Sequence, residues 1–370
     1  MRTPALSASL LFVLCSALPA SAAEFDAQQP PPNDPLAHAK LPAWPKDAKS
    51  SVPPTEGKTY QTDPGTNGNG SFYLPPPYTL QPEAAGLIGK AVAGKLSAEK
   101  IYESKKNFPG WFFKYCVYVP ARYQKGRPAA LMVFLDNDMY WNPKRAEFRA
   151  PTVFDNLIAA GEMPPTIALF IAPGSADPTG DNPPDLSRSE QYDTLGDRYG
   201  KFLLEEIIPD MILKNYDIVT DPNGWAIGGH SSGGIASFTV GWNFPDRFRK
   251  IQTNSGTFLD VAVVKNGHKI GGASYPAMIR AAGRKPLRVA LQTGNHDCRM
   301  VPAGDIAASN FHTAEALAEK GYPFRFCWGD GYHYLDKAPA GVNHGPDQGA
   351  ADFPNEMRWL WRGYKLPGYP

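Results

Sequence analysis

The chain reads as an α/β protein built on a mostly parallel central sheet with helices on both faces. Two observations predict this. From about residue 90, β-rich runs alternate with segments of helical spacing, the pattern of βαβ units. Two of the runs, 129–135 and 166–171, are apolar without interruption, as strands covered on both faces are.

The elements follow in order. Residues 111–119 are β-branched and aromatic and stop at Pro120, which predicts a strand. The two apolar runs supply the next strands. Over 199–216, Phe202, Leu203, Ile207 and Ile208 fall at helical spacing, interrupted by Pro209. A short strand at 225–228 runs into a helix over 232–243, which ends before Pro245. Strands follow at 250–253 and 287–291, then a helix over 311–320 capped by Gly321. A strand over 323–328 and a final helix containing 355–361 complete the pattern. The stretches 173–191 and 334–350 are rich in Gly, Pro and Asp and read as long loops where active-site loops are expected. About 280 residues suffice for one such domain, and no internal repeat is visible.

The N-terminus reads as export machinery. Met1-Arg2, an apolar run over 6–18 and the small residues Ala20 and Ala22 predict a signal peptide, 1–22, cleaved after Ala22. The run is too short to favour a membrane anchor, and Leu14 before Cys15 is the wrong size for a lipoprotein signal. The protein is therefore expected to be secreted or periplasmic, without a membrane span. Residues 23–85 read as a Pro/Gly-rich leader or spacer, with Tyr73 and Tyr78 the first points of docking. The catalytic-sized domain is then 86–370. The net charge of +1 becomes 0 once Arg2 leaves with the signal, which argues against nucleic acid as a partner. Cleavage leaves Cys116, Cys298 and Cys327, an odd number.

The chemistry is concentrated at Gly229-His230-Ser231-Ser232-Gly233, a G-x-S-x-G pentapeptide between a predicted strand and a predicted helix. This is the nucleophile elbow of the α/β-hydrolase fold. A sharp strand-to-helix turn crowds its neighbours, and glycines two before and two after the serine relieve that crowding. The bland alternative is a Gly-rich turn without chemistry. Serine needs a base, and the base an orienting acid, in the chain order Ser, Asp, His. The strand at 287–291 leads to Asp297, and the strand at 323–328 leads to His333. Asp330 is the rival acid and His344 the rival base. The oxyanion hole is expected from the backbone N–H of Ser232 and of Asn137 or Asp138. Cys298 and Cys327 flank these two loops, so either a disulfide braces them or all three thiols are simply buried.

Taken together, several segments resemble one esterase family. They are 115–123, 131–134 with Asp136, 188–199, the elbow, 285–297, 328–331 with His333, and 358–362. The family includes enterochelin esterases, feruloyl and acetyl-xylan esterases, esterase D and the mycolyltransferases, and the resemblance is closest to the exported enterochelin-esterase-like branch. It covers roughly residues 75–364. The resemblance implies Ser231 as nucleophile, Asp297 as acid, His333 as base, and no cofactor or metal. It also implies that the segment 188–193 borders the site. There Arg188 either holds an anionic or hydroxyl-rich substrate or pairs with Asp193 or Glu190. Trp141 and Tyr332 either stack on a substrate ring or pack. Where the branch carries Asp-Gly, this chain has Asp136-Asn137. The expected substrate is a carbohydrate-linked feruloyl or acetyl ester, or a small aryl ester. A catecholate siderophore lactone, acyl transfer to a sugar, and non-catalytic carbohydrate binding are the alternatives.

Overall fold

The computed structural model describes residues 70–369, apart from 75, 137, 143–147, 181–184, 264–268, 301–302 and 334–347. The expected signal peptide and most of the spacer lie outside the described residues. The described part begins with β1 (Ser71–Leu74), α1 (Pro82–Ala85), β2 (Lys95–Leu96), β3 (Lys100–Glu103), β4 (Phe112–Val119) and β5 (Ala130–Leu135). Next come α2 (Asp138–Trp141), α3 (Ala150–Ala160), β6 (Thr166–Ile171), α4 (Asp185–Tyr192), α5 (Arg198–Phe202), β7 (Trp225–His230), α6 (Ser232–Asn243) and β8 (Lys250–Asn254). The ribbon β9 (Ala262–Val263) and β10 (Lys269–Ile270) precedes α7 (Tyr275–Ala281) and β11 (Arg288–His296). The ribbon β12 (Arg299–Met300) and β13 (Gly304–Asp305), α8 (Ile306–Glu319), β14 (Phe324–Tyr332) and α9 (Gln348–Trp361) complete it.

The main sheet runs β1-β14-β11-β8-β7-β5-β6-β4-β2, with β3 also on β4. The pairs from β1 through to β6 are parallel, and those involving β4 are antiparallel. The apolar runs explain why the centre is covered on both sides. Side chains alternate across a strand. Accordingly Leu131, Val133, Leu135, Ile167, Leu169 and Ile171 enter one core. Ala130, Met132, Phe134, Ala168 and Phe170 enter the other. In the second core Phe134 stacks on Phe170 at 5.3 Å and on Tyr140 at 4.4 Å between ring centroids. No helix of the described residues is long and apolar enough to cross a membrane.

Four expectations shift. The folded unit reaches back beyond the expected boundary at residue 85, because β1 is hydrogen-bonded in register along β14, Ser71 opposite Phe326. The stretch 173–191 is not loop throughout, since α4 occupies its end. Residues 203–213 pass Pro209 without a break by widening into a π-type helix. Proline has no N–H to offer the carbonyl four residues back, and the wider turn accommodates the ring. The helices at the C-terminal end are longer than expected. α8 starts at Ile306, where the Asp305 carboxylate accepts from the Ala308 N–H at 3.1 Å as an N-cap. α9 starts at Gln348 and carries Pro354 inside it.

Candidate active site

The pentapeptide forms the turn that its spacing predicts. β7 delivers the chain to Ser231, and α6 leaves from it. Ser231 has φ 56° and ψ −123°, a conformation that costs a side-chain-bearing residue about 1–3 kcal/mol. Its neighbours hold it there. The Ser231 N–H donates to the Asn254 carbonyl at 2.9 Å, and its own carbonyl accepts from Gly234, Thr257 and Ile235 at 2.9, 3.1 and 3.2 Å. The two glycines are required by contact. A Cβ on Gly229 would lie 2.4 Å from the carbonyl of Gly233, and one on Gly233 would lie 2.1 Å from Asp136 Oδ2.

Three distant segments then meet at this turn. His333 Nε2 lies 3.0 Å from Ser231 Oγ, and His333 Nδ1 lies 2.5 Å from Asp297 Oδ1. With the carboxylate accepting the Nδ1 proton, the Nε2 lone pair faces the serine hydroxyl. All three side chains are buried, which strengthens each contact. Asp297 is well supplied with donors. Thr293 Oγ1 donates to Oδ2 at 2.9 Å, the Cys298 N–H donates to Oδ1 at 2.8 Å, and the Ser255 hydroxyl adds a third. Burial alone would raise the Asp297 pKa, but the His333 ring and these donors outweigh it and hold the carboxyl below its ordinary range. The Asp297 carboxylate therefore stays ionised beside the imidazole.

Of the rivals, Asp330 is placed, and its groups are engaged elsewhere. Its carboxylate accepts from Asn295 Nδ2 at 3.0 Å and from the Tyr73 hydroxyl, and its N–H donates to the Tyr78 hydroxyl at 2.6 Å. Its work is to dock the N-terminal strand, where the two tyrosines were expected to seat. His344 lies outside the described residues. His230, inside the elbow, packs its ring 4.7 Å from that of His333. Burial first, and the neighbouring His333 second, push the His230 pKa well below the usual imidazole value, so it forms a neutral wall.

The bracing of the acid and histidine loops is made without a disulfide. Cys116, Cys298 and Cys327 are all present as thiols, so of the two alternatives the Cys298–Cys327 bridge is the one not formed. The register explains why. Cys327 stands opposite Gln292, whereas Cys298 lies beyond His296, which stands opposite Tyr332. At about 3.3 Å per residue, that separation exceeds the reach of a disulfide. Instead the backbones close on each other at Gly294, where a Cβ would meet the Gly331 carbonyl at 2.2 Å. Gln348 clamps the pair, accepting from the Gly331 N–H and donating to the Thr293 carbonyl, both at 3.1 Å. Sequence reasoning missed Thr293, Ser255, Thr257 and Gln348. Thr257 Oγ1 lies 3.3 Å from Ser231 Oγ. Their one signal is topological, since the loop after β8 must lie between those after β7 and β11.

The expected oxyanion donors fall as follows. Ser232 opens α6, so its N–H has no intrahelical acceptor and stands at the positive end of the helix dipole. Asn137 lies outside the described residues, and Asp138 opens α2. Within the described part the left-handed residue of this turn is Asp136, φ 67°. Arg188 reaches it. Arg188 Nη2 donates to Asp136 Oδ1 at 2.9 Å, while its guanidinium lies 5.3 Å from the Tyr192 ring centroid. The ion pair expected with Asp193 or Glu190 is thus made with Asp136, and Glu190 takes Arg198 at 2.8 Å. Asp193 remains close by. Burial raises its pKa to about 6 against the pull of Arg188 and of hydrogen bonds from Ser189 and Ser232. Trp141 is half-buried against the second core, and the Tyr332 side chain lies outside the described ones. Among the described residues, Asp297, Cys298 and His333 offer ligand atoms within 4.8 Å of one another, the one grouping of a kind that holds a metal ion. Two of those three are already joined in the hydrogen-bonded chain to Ser231.

Comparisons with known proteins agree with this architecture. The model of a family described as "Putative esterase" matches residues 107–332, more than half of the chain. Among solved structures, a ferulic acid esterase is 18% identical with a TM-score of 0.53, covering 73% of this chain and 99% of its own. The ferulic acid esterase of the anaerobic fungus Anaeromyces mucronatus is 16% identical with a TM-score of 0.55, covering 76% and 96%. An enterochelin esterase from Shigella flexneri is 17% identical with a TM-score of 0.55, covering 76% of this chain but only 62% of its own length. At these identities the likeness is one of fold, and the fold is that of the α/β-hydrolases.

Proposed function

The chain belongs to this esterase family and is a carboxylic ester hydrolase, and we propose that it works through Ser231, His333 and Asp297 by way of an acyl-enzyme. The observation that carries the reading is the unbroken run of contacts from Ser231 Oγ to His333 at 3.0 Å and from His333 to Asp297 at 2.5 Å. Ser231 Oγ attacks the ester carbonyl while Nε2 of His333 takes its proton. Asp297, held ionised, stabilises the imidazolium that forms. The Ser232 N–H and a second N–H from the turn at 137–138 bind the oxyanion, and each is worth about two to three orders of magnitude in rate. The imidazolium proton passes to the leaving alkoxide as the ester C–O bond breaks. Water then repeats the sequence and frees the acid and Ser231. No step draws on a cofactor.

For the substrate we propose carbohydrate-linked feruloyl or acetyl esters, or small aryl esters, met outside the cytoplasm. Two features support this: the export-type start of the sequence and the fold shared with ferulic acid esterases. The siderophore alternative calls for free cations at the pocket. Arg188, the cation expected to border it, is engaged with Asp136. The test is a side-by-side panel of methyl ferulate, acetylated xylan and a catecholate lactone. Turnover of either of the first two, abolished by Ser231→Ala, is expected. Preference for the lactone by orders of magnitude would replace the substrate reading, and no turnover by folded protein would remove the catalytic one.

A further inference from the structure

Ser231 stands at the C-terminal end of β7, and β8, β11 and β14 run parallel to it. The first residues of these strands therefore form the opposite edge of the sheet. A cavity of about 420 Å³ opens there, lined by Arg249, Lys250, Arg284, Lys285, Arg288 and Arg362 and by no acidic side chain. The chain as a whole carries a net charge of only +1. Six basic side chains around one cavity are thus a local concentration and no reflection of a basic protein, and Asp221, hydrogen-bonded to Tyr364, is the carboxylate close enough to act on Lys250.

These cations are held in place by carbonyls and aromatic faces. Lys250 Nζ lies 4.6 Å from the Tyr364 ring centroid and 5.2 Å from that of Trp361, and it donates to the Asn223 carbonyl. Lys285 Nζ lies 4.3 Å from the Trp242 ring and donates to the Trp242 carbonyl at 2.6 Å. The Arg288 guanidinium lies 4.3 Å from the Trp359 ring, and its Nε is buried without a hydrogen-bond acceptor. Arg284 Nη1 donates to the Gly321 carbonyl at 2.8 Å. Among the described residues, Arg249, Lys250, Arg284, Lys285 and Arg288 make no ion pair. The cost of this crowding is visible. Burial and the neighbouring Arg288 bring Lys250 down to about 7, and burial brings Arg288 down to about 10. Side chains fixed in advance around unneutralised positive charge are what an anion site requires, because little further ordering is needed on binding.

We propose that this cavity binds a dianion of the phosphate class, free or carried on a sugar-sized molecule. A monocarboxylate would leave most of the charge unmet. The volume exceeds the need of a bare ion and falls in the range of small-molecule pockets. The test is calorimetric titration of the protein with inorganic phosphate and with glucose 6-phosphate, using glucose, and sodium chloride at matched ionic strength, as the controls. Wild type should bind at least one of the two phosphates, and chloride and glucose should give no signal. Glucose 6-phosphate binding more tightly than inorganic phosphate would mark the carried group as the ligand, and equal binding the free ion. Arg284→Gln, at an exposed side chain, should weaken binding about tenfold while leaving melting temperature and ester hydrolysis intact; Lys285→Gln should weaken binding as much with ester hydrolysis intact and a modest fall in melting temperature, since it gives up the Trp242 carbonyl and ring. Binding reproduced by chloride, absent in wild type, or unchanged in these folded variants would overturn the proposal.

Discussion

Replacing Gly229 by alanine should disable the site without unfolding the protein. The new Cβ would stand 2.4 Å from both the carbonyl carbon and oxygen of Gly233. Ordinary contacts of this kind begin near 3.4 Å, so β7 and the start of α6 must part by about 1 Å. Gly233 is the second residue of α6, and Ser231 and the Ser232 N–H sit between the two glycines. The displacement therefore falls on the proposed nucleophile and the proposed oxyanion donor together. A misplacement of that size costs about 100-fold in rate, or about 2.7 kcal/mol of barrier. The assay is kcat for p-nitrophenyl acetate beside a thermal melt. Gly86→Ala serves as the control, because nothing lies within 4 Å of its added methyl. Gly229→Ala with kcat within threefold of wild type would refute the reasoning that contact at the elbow places the serine.

Further outcomes follow from other contacts. Asp297→Asn should lower kcat by about 10³–10⁴-fold in a folded enzyme, because the amide cannot stabilise the imidazolium; a loss below tenfold would count against its role. Arg188→Gln leaves the Asp136 carboxylate without its partner. It should cost about 1–3 kcal/mol in denaturant unfolding and lower kcat more than it raises KM, whereas a substrate-holding arginine would show chiefly in KM. Lys250 falls from 10.5 to about 7 on folding. Between those values the unfolded chain holds a proton that the folded one lacks, so this group lets stability rise with pH across that window. Lys250→Met should accordingly stabilise the fold at pH 6, by about 1–4 kcal/mol, and lose that advantage by pH 10. A pH-independent difference in melting temperature would contradict this. Phe134→Ala, at the fully buried centre of an aromatic stack, should cost about 3–5 kcal/mol in unfolding free energy.

Much of the sheet was legible because its central strands carry a strong local signal. β5 and β6 feed two cores, so every position but Thr166 at the start of β6 is apolar and the run cannot be missed. The elbow was legible for a similar reason, since the backbone of Gly233 leaves no room for a Cβ at Gly229 and Asp136 leaves none at Gly233, which puts two glycines at fixed spacing. α4 was hidden by its polar composition, which leaves no apolar period to read. The start of α8 was hidden because Ala307 and Ala308 pack by closeness and not by bulk. In α9 only 355–361 was legible as helix; the element runs from Gln348 with Pro354 inside it, where burial of nearly the whole helix outweighs the missing hydrogen bond. The expected acid and base were placed by chain order, by the strands that lead into their loops and by the family resemblance. What braces them was not legible, because Gln348, Thr293 and Ser255 come together only through pairing of β8, β11 and β14. The basic cavity escaped notice for the same reason: its arginines and lysines are scattered over more than a hundred residues of sequence and meet only at the strand starts.

The account stands on Ser231 being the hydroxyl that His333 activates. Treating the folded protein with a fluorophosphonate and mapping the adduct by peptide mass spectrometry addresses this most directly. One phosphonyl group should appear on the peptide carrying Ser231, vanish in Ser231→Ala and form far more slowly in His333→Ala. An adduct on another serine, or labelling indifferent to loss of His333, would contradict the account.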